Sequence, residues 1–290
     1  MKILLTGSTG QVGYELERSL QGLGEVIAVD RDRMDLADLD QVRDVIRSVR
    51  PGLIVNPAAY TAVDKAQSEP ELAHRVNAEA PGVMAQEAAR LGAAMVHYST
   101  DYVFDGTAPQ PRVEGDATGP VSVYGHSKLA GEQAIAAAGI PHLILRTSWV
   151  YGMRGKNFLL TMMRLARERD ELRIVNDQHG APTWSRTIAD TTALMLAQAR
   201  PGDPAAWQQW WRQHGGTYHL SSQGQTTWFE FTAAILAETG IDCRLTPITT
   251  AEYPLPAQRP QYSVLSSAKL MAAADVHLPH WKEALRLCLK

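Results

Sequence analysis

The sequence predicts an α/β fold in which a doubly wound parallel sheet is followed by a smaller C-terminal α+β lobe. Three observations lead to this prediction. Apolar runs alternate with segments of helical spacing over the first half, the runs are apolar on both faces, and a glycine-rich turn follows the first run. Strands that are apolar on both faces are typical of a parallel sheet covered by helices on either side, and right-handed crossovers then fix its topology.

The first half supplies the predicted sheet. The predicted strands are residues 2–7, 25–30, 52–58, 93–99 and 142–148, and the predicted helices between them are residues 11–20, 38–49, 70–92 and 127–139. Pro81 lies inside the third helical segment. Because a proline inside a helix removes a hydrogen bond and clashes with the preceding turn, we expect a kink or the start of a second segment there.

The second half, from about Tyr151 onwards, has a looser pattern. Helical spacing covers residues 157–172, 187–200 and 227–240, residues 173–177 and 216–222 are strand-like, and a loop with four prolines runs over residues 247–260. We expect a small α+β lobe whose chain returns in places to the main sheet. The segment WQQWW, residues 207–211, lies between predicted elements. We expect it to be a tryptophan-rich flap over apolar surface rather than a ligand-stacking site.

Composition and charge exclude several classes of protein. The net charge is -3 and no basic run occurs, which argues against a nucleic-acid partner. The sequence contains no run of about 18 apolar residues, which a membrane span would need, and the N-terminal apolar run is too short for a signal peptide. Cys243 and Cys288 lack metal or redox spacing. We therefore expect free thiols in a reducing compartment, and a cytoplasmic protein without a membrane partner.

The stretch GSTGQVG places Gly7, Gly10 and Gly13 directly after the first predicted strand and at the start of a helix. Glycines let the backbone turn tightly and approach a pyrophosphate, to which a helix N-terminus presents free N–H groups. This context favours a dinucleotide-binding turn of a Rossmann-like sheet, with Gln11 and Val12 beside the cofactor, over a purely structural turn. The GxxGxxG spacing resembles that of the short-chain dehydrogenases/reductases.

Conflicting signals follow the second predicted strand. Asp30 can accept hydrogen bonds from an adenosine ribose, whereas Arg31 and Arg33 can pair with a 2′-phosphate or remain solvated loop charges. The sequence therefore permits NADH, NADPH or both. Other residues expected to line the cofactor follow the loop and the third strand: Asp35, Leu36, Ala58, Ala59, Tyr60 and Thr61.

Residues suited to chemistry gather near the ends of the next strands. The fourth strand leads into Ser99, Thr100 and Asp101, the next helix begins near Tyr124, with Lys128 one turn later, and Trp149 follows the fifth strand. In an open parallel sheet, ligands bind beyond the carboxyl ends of the strands. We therefore expect these side chains to converge where a nicotinamide ring would lie.

Tyr124 and Lys128 suit the reduction of a ketone. The cofactor supplies a hydride and a phenol can supply the proton. Because the unperturbed tyrosine pKa is about 10, we expect the Lys128 ammonium, on the same helical face, to lower it and to reach the nicotinamide ribose. Thr100 or Ser99 would donate a hydrogen bond to the substrate carbonyl. The alternative for Tyr124 and Lys128 is that they only begin a half-exposed helix. Asp101 could either contact the substrate or cap the following turn.

Several motifs, in order and over nearly the whole chain, resemble those of the dTDP-4-dehydrorhamnose reductases, within the extended short-chain dehydrogenase/reductase superfamily. These motifs are GSTGQVGYEL, AAYTAVDKA, HYSTDYVFDG, YGHSKLAGE, RTSWVYG, NDQHGAPT and PAQRP. The resemblance implies that NADPH or NADH reduces the C4 ketone of dTDP-4-dehydro-β-L-rhamnose. The product would be dTDP-L-rhamnose, a precursor of bacterial surface polysaccharide such as lipopolysaccharide. Residues 1–150 would be mainly the NAD(P)-binding domain and residues 151–290 mainly the substrate-binding lobe.

The same resemblance implies roles for individual residues. Thr100 would bond the substrate oxygen, Tyr124 would donate the proton and Lys128 would support it. The sugar site would be lined by Thr100, Asp101, Tyr124 and Trp149, and the nucleotide diphosphate would be held by Asn157, Gln178 and Arg259. An arginine in a proline-bounded loop suits bidentate phosphate pairing, although an exposed loop arginine is the alternative.

One departure from the family pattern concerns metal binding. Some members dimerise through a magnesium site built from glutamates, and Glu15 matches one such position. Arg186 replaces the glutamate expected after GAPT, and a cation there opposes metal binding. We therefore expect no magnesium and a monomer or weak homodimer. The alternatives to the reductase are a related nucleotide-sugar ketoreductase or epimerase, or a non-catalytic NADP-binding regulatory subunit.

Overall fold

A computed structural model describes residues 1–200 and 202–290 of the chain. Its strands are β1 (Lys2–Leu5), β2 (Glu25–Ala28), β3 (Leu53–Asn56), β4 (Ala94–Thr100), β5 (His142–Thr147), β6 (Val150–Tyr151), β7 (Glu171–Val175), β8 (His179–Gly180), β9 (Thr183–Trp184), β10 (Gly216–His219), β11 (Thr226–Thr227) and β12 (Arg244–Ile248).

The helices fall between and after these strands. They are α1 (Gln11–Ser19), α2 (Leu39–Val49), α3 (Val63–Ala66), α4 (Pro70–His74), α5 (Ala80–Leu91), α6 (Val123–Ala137), α7 (Phe158–Glu168), α8 (Ser185–Gln198), α9 (Pro204–His214), α10 (Trp228–Thr239), α11 (Ala268–Ala274) and α12 (Trp281–Cys288). A π-helical segment, Arg75–Glu79, joins α4 to α5, and 3₁₀ turns occur at Asp101–Val103 and Thr250–Glu252. None of the helices in the described part of the chain is long and apolar enough to cross a membrane.

The main sheet has six parallel strands in the order β10–β5–β4–β3–β1–β2. The chain runs from β1 outward to β2 and then crosses to β3 on the other side of β1, so the winding reverses between β1 and β3. Such a switch point opens a crevice at the carboxyl ends of the strands. The predicted doubly wound parallel sheet is therefore confirmed.

Alternate residues of the buried strands pack into two cores on opposite faces of the sheet. Ile3 and Leu5 of β1 belong to a core that includes residues of α1, α8 and α9, whereas Leu4 belongs to a core that includes residues of α2, α5 and α6. This two-sided burial explains why the strands are continuously apolar. A third core lies in the C-terminal lobe, where Phe231 of α10 and Trp281 of α12 pack together near the paired strands β7 and β12.

The structure corrects the prediction for WQQWW. These residues lie in α9, not in a flap between elements, and Trp210 and Trp211 are buried in the core beneath the main sheet. The sequence carried a start signal, because the Asp203 carboxylate accepts hydrogen bonds from two backbone N–H groups of the first turn and Pro204 occupies a first-turn position. The segment is buried because it packs against the apolar surface of the sheet.

Other differences are local. Pro81 lies in the first turn of α5, which agrees with the expected start of a second segment. The proline-rich loop begins later than predicted, because Pro247 belongs to β12, where the chain pairs with β7 alone and a missing N–H is tolerated. The predicted strand at residues 216–222 forms β10 at the edge of the main sheet. The helices α11 and α12 were not predicted.

Candidate active site

A cleft of about 700 Å³ lies at the carboxyl ends of the central strands of the main sheet. Every residue predicted to bind the cofactor lines it, namely Gly7, Gly10, Gln11, Val12, Gly13, Asp30, Arg31, Asp35, Leu36, Ala58, Ala59, Tyr60, Thr61, Tyr124 and Lys128. Residues that were not predicted also line it, including Thr9, Lys65, Glu69 and Lys156. Lys65 and Glu69, four residues apart in the sequence, form an ion pair at 2.8 Å, and this i,i+4 spacing of opposite charges was the available signal for that pair.

The glycine turn is shaped by close backbone approaches. Gly7 has a positive φ of 59°, and a Cβ on Gly13 would lie 2.1 Å from the Gly7 carbonyl oxygen. The first turn of α1 has no side-chain cap at Gly10, so its N–H groups face the cleft without a local acceptor from that residue. A tight turn that leads into an uncapped helix N-terminus fits a dinucleotide pyrophosphate.

The arginines after β2 point in different directions. Arg31 lines the cleft with 77% of its side chain exposed, and its Nε lies 3.3 Å from an Asp35 carboxylate oxygen. Arg33 donates instead to the Ala28 carbonyl oxygen, at 3.4 Å, while its backbone N–H donates to Asp30. Of the two arginines, only Arg31 therefore lies where its guanidinium could bind a phosphate in the cleft. The neighbouring Asp30 carboxylate could bind a ribose.

Tyr124 lies in the first turn of α6, whose start is fixed because Ser122 Oγ accepts a hydrogen bond from the Gly125 N–H. Its ring meets the Tyr102 ring edge-on, with centroids 5.6 Å apart. Burial raises the pKa of Tyr124 above its ordinary value, and a hydrogen bond with Thr100 opposes that rise. Desolvation of the phenol therefore outweighs the lowering of this pKa that we expected from the Lys128 ammonium.

Lys128 is buried one helical turn after Tyr124, with 1% of its surface exposed. Its ammonium nitrogen lies 2.6 Å from the Tyr98 carbonyl oxygen and 3.1 Å from His97 Nε2. Burial lowers the pKa of Lys128 to about 8, an effect that the Glu132 carboxylate opposes. Lys128 thus faces β4 as well as the cleft. His126, between the two, is exposed.

The end of β4 supplies a group of buried oxygens. Thr100 Oγ1 donates to Asp101 Oδ1 at 2.9 Å and accepts from the Tyr102 N–H, so the cap of the following turn is Thr100 and not Asp101. Burial raises the pKa of Asp101 to about 6. Ser99 Oγ and Asp101 Oδ2 are buried without a hydrogen-bond partner among the described residues. Buried polar atoms of this kind fit a site that binds a polar ligand.

Trp149 follows β5 in a left-handed conformation, with φ of 47°. Its indole stacks on Trp228 of α10, with ring centroids 3.4 Å apart and planes 5° apart, and Gly180 is so close that a Cβ there would lie 2.3 Å from the Trp149 ring. A non-glycine residue in this conformation costs about 1–3 kcal/mol and is frequent at functional sites. Sequence reasoning missed Trp228, for which no local signal existed.

The three residues expected to hold a nucleotide diphosphate are not among those that line the cleft, and each is bonded to different neighbours. Asn157 caps α7 and its amide donates to Gln11 Oε1 at 2.9 Å, which ties the lobe to the glycine turn. Gln178 is buried, bonded to Trp228 Nε1 and Thr250 Oγ1. Arg259 is paired with Asp64 and Tyr102.

The predicted lack of a magnesium site concerns two facing helices. Arg186, on α8, lies 3.9 Å from Asp190 of the same helix, and Ser19 of α1, the helix that carries Glu15, donates to that aspartate at 2.6 Å. No cluster of three or more His, Cys, Asp or Glu side chains suited to a metal occurs within residues 1–200 and 202–290.

The chain is similar to known proteins over its full length. Residues 1–290 match the family model described as the RmlD substrate binding domain. A dTDP-4-dehydrorhamnose reductase from Burkholderia thailandensis is 48% identical, over 100% of this chain and 98% of that protein. The dTDP-4-dehydrorhamnose reductase of Escherichia coli K12 is 44% identical, over 100% of this chain and 97% of that protein.

The fold is also similar to that of solved dTDP-4-dehydrorhamnose reductases. A dTDP-4-dehydrorhamnose reductase from Clostridium acetobutylicum superposes with a TM-score of 0.90 at 38% identity, over 100% of this chain and 98% of that chain. A dTDP-4-dehydrorhamnose reductase from Bacillus anthracis, in complex with NADP, superposes with a TM-score of 0.91 at 33% identity, over 99% and 98% of the two chains.

Proposed function

The chain belongs to the RmlD substrate binding domain family, and from that membership we propose that it works as a dTDP-4-dehydrorhamnose reductase. It reduces the C4 ketone of dTDP-4-dehydro-β-L-rhamnose to dTDP-L-rhamnose, the last step of dTDP-rhamnose biosynthesis. The observation that carries the proposal is one cleft lined both by a dinucleotide-type glycine turn and by Tyr124 and Lys128, in a chain 48% identical over its length to such a reductase.

A reduced nicotinamide cofactor supplies the hydride when it is bound. The residues proposed to hold it are those of the cleft wall, with the pyrophosphate at the Gly7–Gly13 turn and the ring near Tyr124 and Lys128. The buried Ser99 hydroxyl, which has no partner in the described part of the chain, fits a polar group placed at that end.

Tyr124 is the proposed proton donor. Its raised pKa keeps the phenol protonated at neutral pH, so it can hand its proton to the oxygen that becomes an alkoxide. Thr100 bonds the same substrate oxygen, and to donate to it the Thr100 hydroxyl has to turn away from Asp101 Oδ1. Lys128 stabilises the phenolate that remains, because an ammonium one turn along the helix favours a negative charge there.

We propose NADPH as the preferred cofactor, with NADH as a weaker one. Support comes from Arg31, an exposed guanidinium in the cleft at the end of β2, where a 2′-phosphate would lie. The relative from Bacillus anthracis was solved with NADP. Asp30, beside Arg31, is the group through which NADH could also bind.

We propose that Trp149 and Asp101 line the sugar site and that Arg259 pairs with the nucleotide diphosphate after it leaves Asp64. Asn157 and Gln178 are proposed to act mainly by orienting their neighbours, because their amides are already bonded to Gln11 and Trp228. We also propose a cytoplasmic monomer or weak homodimer without bridging magnesium, which the position of Arg186 beside Asp190 supports.

The test is a substrate panel followed at the nicotinamide absorbance, with NADPH and NADH in parallel. The purified protein should oxidise NADPH with dTDP-4-dehydrorhamnose and not with UDP- or GDP-linked keto sugars. The reverse preference would assign a different nucleotide-sugar ketoreductase. Absence of turnover with every sugar, together with tight NADPH binding, would assign a non-catalytic binding module.

A further inference from the structure

Behind Lys128 a row of buried polar side chains crosses three neighbouring strands. Thr6 follows β1, Asn56 ends β3, and His97 lies on β4 directly opposite Asn56 in the sheet register. All three are at most 1% exposed. They continue the sheet face whose other members, Leu4, Ile54 and Met95, are apolar, so their polar atoms have to pair with one another or with Lys128.

The contacts form one continuous line. Thr6 Oγ1 lies 2.6 Å from Asn56 Oδ1, Asn56 Nδ2 lies 3.1 Å from His97 Nδ1, and His97 Nε2 lies 3.1 Å from Lys128 Nζ. Burial and the Lys128 charge hold the pKa of His97 well below its ordinary value, so the imidazole is neutral and carries one proton. That proton can be on either nitrogen.

The position of this single proton is tied to the charge of Lys128. If Asn56 Nδ2 donates to His97 Nδ1, the proton is on Nε2 and points at Lys128, which then has to be a neutral amine with a free lone pair. If Lys128 is an ammonium, it donates to Nε2, and Nδ1–H donates to Asn56 Oδ1. The amide is then turned over, and Asn56 Nδ2 donates to the Thr6 hydroxyl, which can donate or accept.

We propose that Thr6, Asn56 and His97 form a reversible hydrogen-bond row that positions Lys128 in both of its charge states, with His97 as the residue in direct contact. In each direction both ring nitrogens of His97 and the Lys128 nitrogen have a partner, so Lys128 can gain or lose a proton without leaving any of these three atoms unpaired in the core. The consequence for turnover rests on the proposed reduction, in which Lys128 stabilises the Tyr124 phenolate. The row itself does not depend on any substrate.

Other ionisable groups near Lys128 set the background for its titration. They are Tyr124 and Glu132 on α6, Arg146 of β5 paired with Glu132, Asp101 after β4, and Lys65 and Glu69 across the cleft. Of these, the Glu132 carboxylate raises the pKa of Lys128. None of them lies in the row, so their titration leaves both directions of the row intact.

The decisive measurement is the tautomer of His97 in the full-length protein without ligands. The ¹⁵N chemical shifts of labelled histidine, recorded from about pH 6 to about pH 10, report which ring nitrogen carries the proton. His97→Gln identifies the signal. We expect the proton on Nδ1 at the acidic end and on Nε2 at the alkaline end, with a midpoint near the Lys128 pKa of about 8.

Lys128→Met is the matched control and should hold one His97 tautomer over the whole range. The proposal is overturned if wild-type His97 keeps one tautomer throughout, or if the reversal persists in Lys128→Met. Neither result bears on whether the protein reduces a nucleotide sugar, so the two proposals fail separately.

A second experiment uses turnover. His97→Leu removes the acceptor of the ammonium and should lower kcat by about 10- to 100-fold, the loss of one hydrogen bond to a charged group. His97→Gln offers a carbonyl oxygen in the same place and should recover most of kcat. Thermal unfolding checks that both variants fold. Equal kcat for His97→Leu and wild type would show that Lys128 does not depend on His97, and if the leucine variant fails to fold, the tautomer measurement decides.

Discussion

Arg259 lies 2.6 Å from a carboxylate oxygen of Asp64, a residue 195 positions away in the chain, and 3.2 Å from the Tyr102 hydroxyl. Because Tyr102 packs edge-on against Tyr124, the ion pair joins the proline-rich loop of the lobe to the part of the cleft where Tyr124, the proposed proton donor, lies. A substrate diphosphate that takes Arg259 has to compete with Asp64.

That competition gives a first prediction. Asp64→Asn removes the charge but keeps an acceptor, so the KM for the dTDP sugar should fall about two- to fivefold, the range expected for a partly exposed ion pair. Arg259→Ala should raise the same KM, with kcat changed less. Steady-state kinetics at saturating NADPH measures both. An unchanged KM in Arg259→Ala would mean that the arginine only ties the loop to Asp64.

Tyr124→Phe removes the phenol hydroxyl and keeps the ring. We expect kcat to fall by about 10²- to 10⁴-fold, the usual contribution of general acid catalysis, with NADPH binding unchanged by fluorescence titration. Tyr253→Phe, at an exposed tyrosine, is the matched control and should behave as wild type. Wild-type turnover in Tyr124→Phe would exclude the tyrosine as proton donor.

The variant Arg31→Ala should change the KM for NADPH much more than the KM for NADH. We expect the KM for NADPH to rise about tenfold, because a charge-assisted pair with the 2′-phosphate is lost, and the KM for NADH to change by less than about twofold. Arg33→Ala is the control, since its guanidinium donates to the Ala28 carbonyl instead. If Arg31→Ala affects both cofactors equally, a 2′-phosphate role for this arginine is wrong.

Asp101 makes stability depend on pH. Its pKa is raised from 3.8 to about 6, so the folded protein holds a proton that the unfolded chain has lost. The stabilisation from that proton is complete below about pH 4 and is lost as the pH rises through about 6. Asp101→Asn should therefore gain roughly 3 kcal/mol relative to wild type between those limits, as measured by urea unfolding.

The glycine turn can be tested by adding single methyl groups. A Cβ on Gly13 would meet the Gly7 carbonyl group at 2.1 Å, so Gly13→Ala should destabilise the fold by about 1–3 kcal/mol and abolish NADPH binding. Gly22→Ala, where nothing lies within 4 Å of the added atom, should leave both properties unchanged. NADPH binding by Gly13→Ala with wild-type affinity would contradict the proposed pyrophosphate site.

The sequence was sufficient to predict the main sheet and to name residues that line one cleft, because both depend on local signals. Each of these signals lies within a short stretch of sequence. They are the continuous apolar strands, the glycine spacing, and the i,i+4 pair of Tyr124 and Lys128. The resemblance to a family supplied the roles that the pattern alone left open.

The sequence failed where partners are distant or where burial decides. The stack of Trp149 on Trp228 joins α10 to the end of β5, and nothing near either tryptophan encodes it. The rise in the Tyr124 pKa was missed as well. The spacing shows that an ammonium is near the phenol, but not how strongly the phenol is desolvated. The WQQWW segment was misassigned for a related reason, because its burial comes from the sheet beneath it.

The order of strands in the main sheet has a consequence for biosynthesis. Its edge strand β10 pairs with β5 and is the last part of the sheet to be made, long after the other strands. A nascent chain that ends near residue 150 leaves the backbone groups on one edge of β5 unpaired and its core face without α8 and α9. The main sheet therefore cannot complete its strand pairing on the ribosome until Gly216–His219 has emerged, and until then the open edge of β5 is a site for chaperone binding or for pairing with another chain.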